Sequence, residues 1–287
     1  MSKSSRLDKK KDKKIKTSQA NNADKHVLYQ KSVQDTDTEL TLMVEKYKAI
    51  RGAEPLSFRE DFCGTALLSV DWCKSAEKRS AQGVDLCTET LAWGRKHNLE
   101  PASEVVGQRI ELINANVLDV SEPKVDVTCA LNFSYNIFKT RDALRTYFEA
   151  ARKGLKDDGV FMLDVFGGTE AIEVSEEDRE VDDETFEFVW DQEKYNPVTN
   201  EILCHIHFKF DDGSIMEKAF TYDWRLWTIA ELNEVLLEAG FSKVHVYWEE
   251  YVDDDEDDDY LEGTGNYIEV SEVEQQESWV SYIFAEV

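Results

Sequence analysis

The sequence predicts an α/β protein: a doubly wound, seven-stranded, mostly parallel sheet with an antiparallel β insert as a cap. Three observations predict it. Short apolar runs that suit buried strands alternate with stretches of helical spacing from about residue 55 to residue 166. The rhythm then switches to apolar/polar alternation between turn signals, and a well-signalled helix and two apolar closing strands follow.

The elements follow in order. "HVLYQKSVQDTDTELTLMVEKYKAI" reads as one or two helices and "PLSFREDF" as extended chain. "TALLSVDWCKSAEK" has helical apolar spacing, "SAQGVDL" is a short strand, and "TETLAWGRKH" is a helix. "RIELINANVLDV" is a strand with its exit loop, and "VDVTCALNF" is a near-continuous apolar strand. "TRDALRTYFEAARKGL" is an amphipathic helix ending before the turn "KDDG", and "VFMLDVF" is a buried strand. "TFEFVWDQEKY", "EILCHIHFKF" and "SIMEKAFTYDWRLW", separated by "NPVTN" and "DDGS", form the three-stranded insert. "TIAELNEVLLEAGF" opens with the capping box Thr228-x-x-Glu231 and stops at Gly240. "KVHVYWEEY" and "WVSYIFAEV" close the sheet, with an acidic stretch between them that cannot be core.

The domain reading is a disordered basic tail over residues 1–25 and one domain over 26–287. Within it lie the insert at 183–227 and an acidic loop at 252–275. The first 16 residues hold eight basic side chains against two aspartates, whereas the chain of 287 residues has a net charge of −27. So acidic a body repels polyphosphate and disfavours nucleic acid as a partner. No apolar run approaches the ~18 residues of a membrane span, and the lysine-rich start has no apolar core behind it, so neither a span nor a secretory signal is expected. Five cysteines, an odd number without CxxC spacing, read as reduced thiols in a cytoplasmic protein. His205 and His207 form an H-x-H pair on one strand face with no third ligand of evident spacing, so no metal is expected. Oligomeric state is not readable.

The loop after the first strand narrows the ligand. A dinucleotide fold brings three glycines close to a pyrophosphate at a helix N-terminus. Here the run is Phe62, Cys63, Gly64, Thr65, Ala66, preceded by Glu60 and Asp61. One glycine and two carboxylates argue against phosphate and for a cationic, phosphate-free ligand such as S-adenosylmethionine, with its sulfonium and α-ammonium. Asp85, 21 residues after Gly64, is in register to accept from both ribose hydroxyls.

With these residues the chain resembles the class I S-adenosylmethionine-dependent methyltransferases over about residues 26–287. "EDFCGTA" falls where that family has an acidic residue followed by GxGxG; Gly64 keeps the middle glycine, and Phe62 and Ala66 depart from the pattern. The resemblance implies a Rossmann-like methyltransferase fold with S-adenosylmethionine as cofactor. It gives Glu60 the loop-ordering position, with Asp61, Cys63 and Thr65 beside it, and Asp85 and Leu86 the ribose and adenosine side. Asn116 and Val117 would face the adenine, and Leu131 and Asn132 lie at the fourth strand exit, which would line the cofactor and substrate. "ALNFSYNIF" and "YDWRLWT" are similar to segments of glycine and other small-molecule N-methyltransferases. That likeness implies a small-molecule acceptor, an amine or amino-acid-like compound, with Tyr29, Asn136, Tyr222, Trp224 and Arg225 as acceptor contacts. Arg225 would hold a carboxylate. No general base is assigned: the sulfonium carbon is already electrophilic, and the protein aligns a lone pair with it. Two alternatives stay open at this stage, an RNA cap-type methyltransferase docking through the basic tail and a non-catalytic S-adenosylmethionine-binding protein.

Overall fold

The computed structural model describes residues 18–182, 184–254 and 257–287. Residues 1–17, most of the expected tail, lie outside the described residues. Helix α1 (Gln19–Asn22) and helix α2 (Lys25–Ser32) correct the tail boundary of residue 25, because the chain is already helical from Gln19. Ser18 and Asp24 supply the N-caps that start these two helices. No helix among the described residues is long and apolar enough to cross a membrane.

The chain divides into two compact units, one of Asp35–Ala171 with Trp227–Val287, the other of residues 18–34 with Ile172–Leu226. In the larger unit, helix α3 (Thr36–Arg51) starts at the cap Asp35 and stops at Gly52, whose φ of 70° is the left-handed C-cap geometry. Then come β1 (Ser57–Asp61), α4 (Leu67–Ser75), β2 (Ser80–Asp85) and α5 (Thr88–Gly94), which runs on as a π turn over Arg95–Leu99. Next are α6 (Glu104–Gly107), β3 (Ile110–Asn114), β4 (Val125–Ala130), α7 (Arg141–Lys153) and β5 (Leu155–Gly167).

The smaller unit holds an antiparallel sheet in the order β6 (Glu176–Glu180), β7 (Phe186–Asn196), β8 (Glu201–Phe210), β9 (Ile215–Arg225). Three strands were expected there. The fourth, β6, reads "EEDRE" and is exposed throughout, so no apolar alternation announces it. Leu28 of α2 shares a core with Phe186, Ile206 and Phe208, which makes the N-terminal helices part of this unit.

The larger unit closes with α8 (Ile229–Glu238), β10 (Lys243–Asp254), β11 (Asp257–Glu269) and β12 (Trp279–Glu286). The Thr228–Glu231 capping box of α8 is formed as the sequence predicts. The main sheet has the order β11-β10-β12-β5-β4-β1-β2-β3. Strands β1 to β5 pair in parallel, while β12 runs antiparallel to β5 and to β10. The sheet therefore has eight strands, not seven: residues 257–269, expected within the acidic loop of 252–275, pair with β10 as an antiparallel edge strand. An edge strand is half free of packing, so an acidic, aperiodic sequence can occupy it.

Strand order reverses between β1 and β4, and ligands of such sheets bind at the carboxyl ends of the strands beside that point. One sheet face carries Phe58, Cys129, Leu131, Met162, Tyr282 and Phe284 in a core shared with Leu42 and Met43 of α3 and Trp72 of α4. The other carries Ala130, Phe161, Leu163 and Ile283 against α7 and α8.

Candidate functional site

Successive residues of a strand face opposite sides, and this separates the two carboxylates that end β1. Asp61 is fully buried on the α7 side. Arg59 Nε lies 2.9 Å from Asp61 Oδ1, and the Tyr147 hydroxyl donates to Oδ2 at 3.0 Å. Asp61 is thus held in a structural ion pair, apart from the other predicted ligands. Glu60 faces the α3 and α4 side. Ala66 at the N-cap of α4 has no side chain to cap the helix, and Glu60 does so instead, accepting the Ser69 N–H at 3.0 Å and the Ser69 hydroxyl at 2.5 Å. Burial pushes the Glu60 carboxyl up to about 8, although the two bonds from Ser69 oppose the shift.

Between these elements the loop has positive φ at Phe62 (59°), Gly64 (52°) and Ala66 (56°). Phe62 and Ala66 thus adopt the left-handed geometry usual for glycine, at about 1–2 kcal/mol each. Phe62 offsets its share by packing its ring 5.4 Å from Tyr147, in the core beneath the loop. Cys63 is buried, its N–H bonded to the Val84 carbonyl. The Thr65 carbonyl accepts from Asn98 Nδ2 at 2.9 Å and touches Gly94, where a Cβ would lie 2.3 Å from it. A Cβ on Gly64 would meet no protein atom nearer than 3.9 Å, so the loop presents an open backbone edge there.

Asp85, at the end of β2, ties the Gly64 loop to its own. Its Oδ2 accepts the Gly64 N–H at 2.9 Å and its Oδ1 the Cys87 N–H at 2.7 Å. Each oxygen keeps a lone pair. Leu86 is 67% exposed beside it, its carbonyl fixed by Asn114 Nδ2 at 3.0 Å. Asn116 Oδ1 accepts the Leu118 N–H at 3.0 Å and caps the short 3-10 turn Val117–Asp119, with Val117 buried. Asn116 has a turn-forming role here.

The exit of β4 is held by a residue that sequence reasoning missed. Asp164, on β5, accepts the N–H groups of Asn132 at 2.6 Å and Phe133 at 2.9 Å. Both donors have positive φ, 53° and 56°. The Tyr135 hydroxyl donates to the Asp164 carbonyl at 2.8 Å. Leu131 is buried at the strand end, and Asn136 is buried one turn later with its Oδ1 unpaired. Burial pushes the Asp164 carboxyl up to about 7 against these bonds. A charged residue in the otherwise apolar run "VFMLDVF" was the available signal.

The larger unit thus brings together Glu60, Cys63, Gly64, Thr65, Asp85, Leu86, Leu131 and Asn132 around the switch point. Among the described residues neither Glu60 nor Asp164 has a basic partner, because Arg59 is committed to Asp61 on the opposite face. Buried carboxylates without counter-charge, beside an open glycine backbone, suit a cationic ligand that favours their ionised forms, and they offer nothing to phosphate. The donor set therefore fits S-adenosylmethionine.

The remaining predicted contacts lie in the smaller unit. Tyr222 stacks on Trp224 at 4.3 Å and on Trp190 at 6.0 Å, and it hydrogen-bonds Tyr29. Tyr29 packs 4.9 Å from Phe220. Trp224 is buried, and Arg225 is half-buried at the end of β9, in register with Glu201. Tyr29, Tyr222, Trp224 and Arg225 thus share one unit, and Asn136 belongs to the other.

No protein-family model matches the sequence, and no curated protein is similar to it. Solved structures are. An S-adenosylmethionine-dependent methyltransferase from Clostridium acetobutylicum is 17% identical with a TM-score of 0.64, over 91% of this chain and 97% of that one. CalS10, an amino pentose methyltransferase from Micromonospora echinaspora, is 15% identical with a TM-score of 0.63, over 91% and 95%. The sugar N-methyltransferase KedS8 from Streptoalloteichus is 14% identical with a TM-score of 0.59, over 92% of both chains. The chain therefore shares the Rossmann-like fold of these methyltransferases, with its eighth strand at the sheet edge.

Proposed function

We propose that this protein is an S-adenosylmethionine-dependent methyltransferase acting on a small, amine-bearing acceptor. The observation that carries the reading is the pair of buried carboxylates without counter-charge, Glu60 and Asp164, at the β1/β4 switch point. When bound, the cofactor supplies an electrophilic methyl group. The chain's own residues do the rest. Gly64 offers backbone for close approach, and Glu60 holds the loop through Ser69. Asp85 would offer its remaining lone pairs to the ribose, and Leu86 and the Asn116 amide would face the adenine. Asp164 fixes Asn132 and Phe133, so that the β4 exit can position the acceptor nitrogen in line.

In this reading the antiparallel unit contributes to acceptor choice. Tyr222 and Trp224, with Tyr29 behind them, offer an apolar wall, and Arg225 a fork for an anionic group. CalS10 and KedS8 are described as acting on sugars, which supports an amino sugar as readily as an amino acid. The test is calorimetry with S-adenosylmethionine, S-adenosylhomocysteine and NAD, followed by a radiolabelled methyl-transfer screen over amino sugars, amino acids and other small amines, with RNA for comparison. Binding of NAD alone, or transfer to RNA alone, would overturn the proposal.

A further inference from the structure

Helix α3 packs the stripe Leu42, Met43 and Tyr47 onto the sheet face that carries Glu60. Glu39 continues this stripe by one turn, at i−4 from Met43, a position that an apolar residue would fill. It is 7% exposed, and among the described residues its carboxylate has no hydrogen-bond or ion-pair partner. The helix fixes where this carboxylate lies. Arg51 Nη2 donates to the Gly159 carbonyl at 3.1 Å, anchoring the end of α3 beside the start of the apolar part of β5. From Arg51 back to Glu39 the helix covers about 18 Å, and from Gly159 on to Asp164 the strand covers about 17 Å. Glu39 is thereby brought level with Asp164, and it feels the charges of Asp164, Glu60 and Asp35.

Three buried carboxylates from three elements therefore converge at the ends of β1 and β4, and burial with mutual repulsion pushes Glu39 well above the usual carboxylate range. Glu60 and Asp164 each accept N–H or hydroxyl donors of the fold. Glu39 accepts none, and nothing in the packing of the stripe calls for it. A buried polar group without a partner destabilises the chain that carries it unless a ligand completes it.

We infer that Glu39 is a binding residue for the cofactor's positive charge, closing an anionic pocket with Glu60 and Asp164 and so making a helix outside the nucleotide-binding loops part of the site. This rests on the methyltransferase reading. The charge could come from the α-ammonium or from the sulfonium, and the two cofactor forms distinguish them, because S-adenosylhomocysteine keeps the ammonium and lacks the sulfonium.

The experiment compares wild type, Glu39→Gln and Glu39→Met in ligand-free melting temperature and in affinity for both cofactor forms. The expected result is a ligand-free Tm equal to or above wild type, with S-adenosylmethionine bound about tenfold to a hundredfold more weakly. Equal weakening for both ligands would assign the ammonium, and weakening for S-adenosylmethionine alone the sulfonium. Folded variants that bind both ligands within about twofold of wild type would overturn the inference. So would failure of both variants to fold, which would make Glu39 a core residue. Wild-type protein that binds neither ligand would overturn the methyltransferase reading itself, and this inference with it.

Discussion

Glu60 and Ser69 are joined by two hydrogen bonds, so the carboxylate that ends β1 also caps the helix that follows the glycine loop. Loop shape and local charge are thereby the property of one residue. A ligand that stabilises the ionised Glu60 also strengthens the cap, because an anion at a helix N-terminus meets the positive end of the dipole.

The first prediction concerns pH. The folded-state carboxyls are raised, Glu60 from 4.5 to about 8 and Asp164 from 3.8 to about 7. The folded protein holds protons that the unfolded chain releases, so their contribution is fully present below the ordinary carboxylate range and is lost as pH rises through 7 to 8. Ligand-free Tm should fall from pH 6 to pH 8.5, and Glu60→Gln should flatten the fall. A cationic ligand favours the ionised forms, so S-adenosylmethionine binding at pH 7 should release protons, measurable by calorimetry in buffers of different ionisation enthalpy. A Tm slope unchanged by Glu60→Gln would contradict this account.

The second prediction concerns Asp85. Asp85→Ala removes the acceptor for the Gly64 and Cys87 N–H groups as well as the lone pairs proposed for the ribose. Cofactor affinity should weaken by roughly 1.5 to 3 kcal/mol, the scale of charge-assisted hydrogen bonds. An unchanged dissociation constant would remove Asp85 from the site.

Most of the main sheet was legible, because buried parallel strands must be apolar runs and the helices between them carry caps and periodicity. The edges were not. β6 and β11 are largely polar strands at the sheet edges, and no regular apolar alternation marks them. The separation of Glu60 from Asp61 was latent in strand alternation, but it needed the partner Arg59 to show which of the two was neutralised. Asp164 and Glu39 stand inside apolar patterns, where only the fold reveals that their carboxylates share a neighbourhood with Glu60. The loss of two glycines at Phe62 and Ala66 suggested a changed loop, yet the backbone keeps positive φ at both.

The third prediction follows from that loop. Gly64→Ala would place a methyl group where no protein atom lies within 3.9 Å, at a φ of 52°. The fold should lose only about 1–2 kcal/mol, the left-handed cost that Phe62 and Ala66 already tolerate. A ligand approaching the backbone there would meet the methyl group directly, and affinity should fall at least about tenfold. Denaturant melts alongside calorimetry separate the two effects. Equal losses in both, or an unaffected affinity, would place the ligand elsewhere.

The last prediction concerns acceptor choice. Arg225 ends β9 directly after the buried Trp224, in register with Glu201 of β8. Its planar fork matches a carboxylate in two parallel hydrogen bonds. Arg225 belongs to the antiparallel unit, whereas the proposed cofactor ligands belong to the larger one. Arg225→Ala should therefore leave the affinity for S-adenosylhomocysteine near wild type. It should lower kcat/KM about tenfold to a hundredfold for a carboxylate-bearing amine found by the transfer screen, and much less for the corresponding amide. Arg225→Lys keeps the charge and loses the fork, so an intermediate defect would identify bidentate recognition. Should carboxylate and amide acceptors suffer equally, Arg225 supports the sheet, and the anionic-acceptor assignment fails.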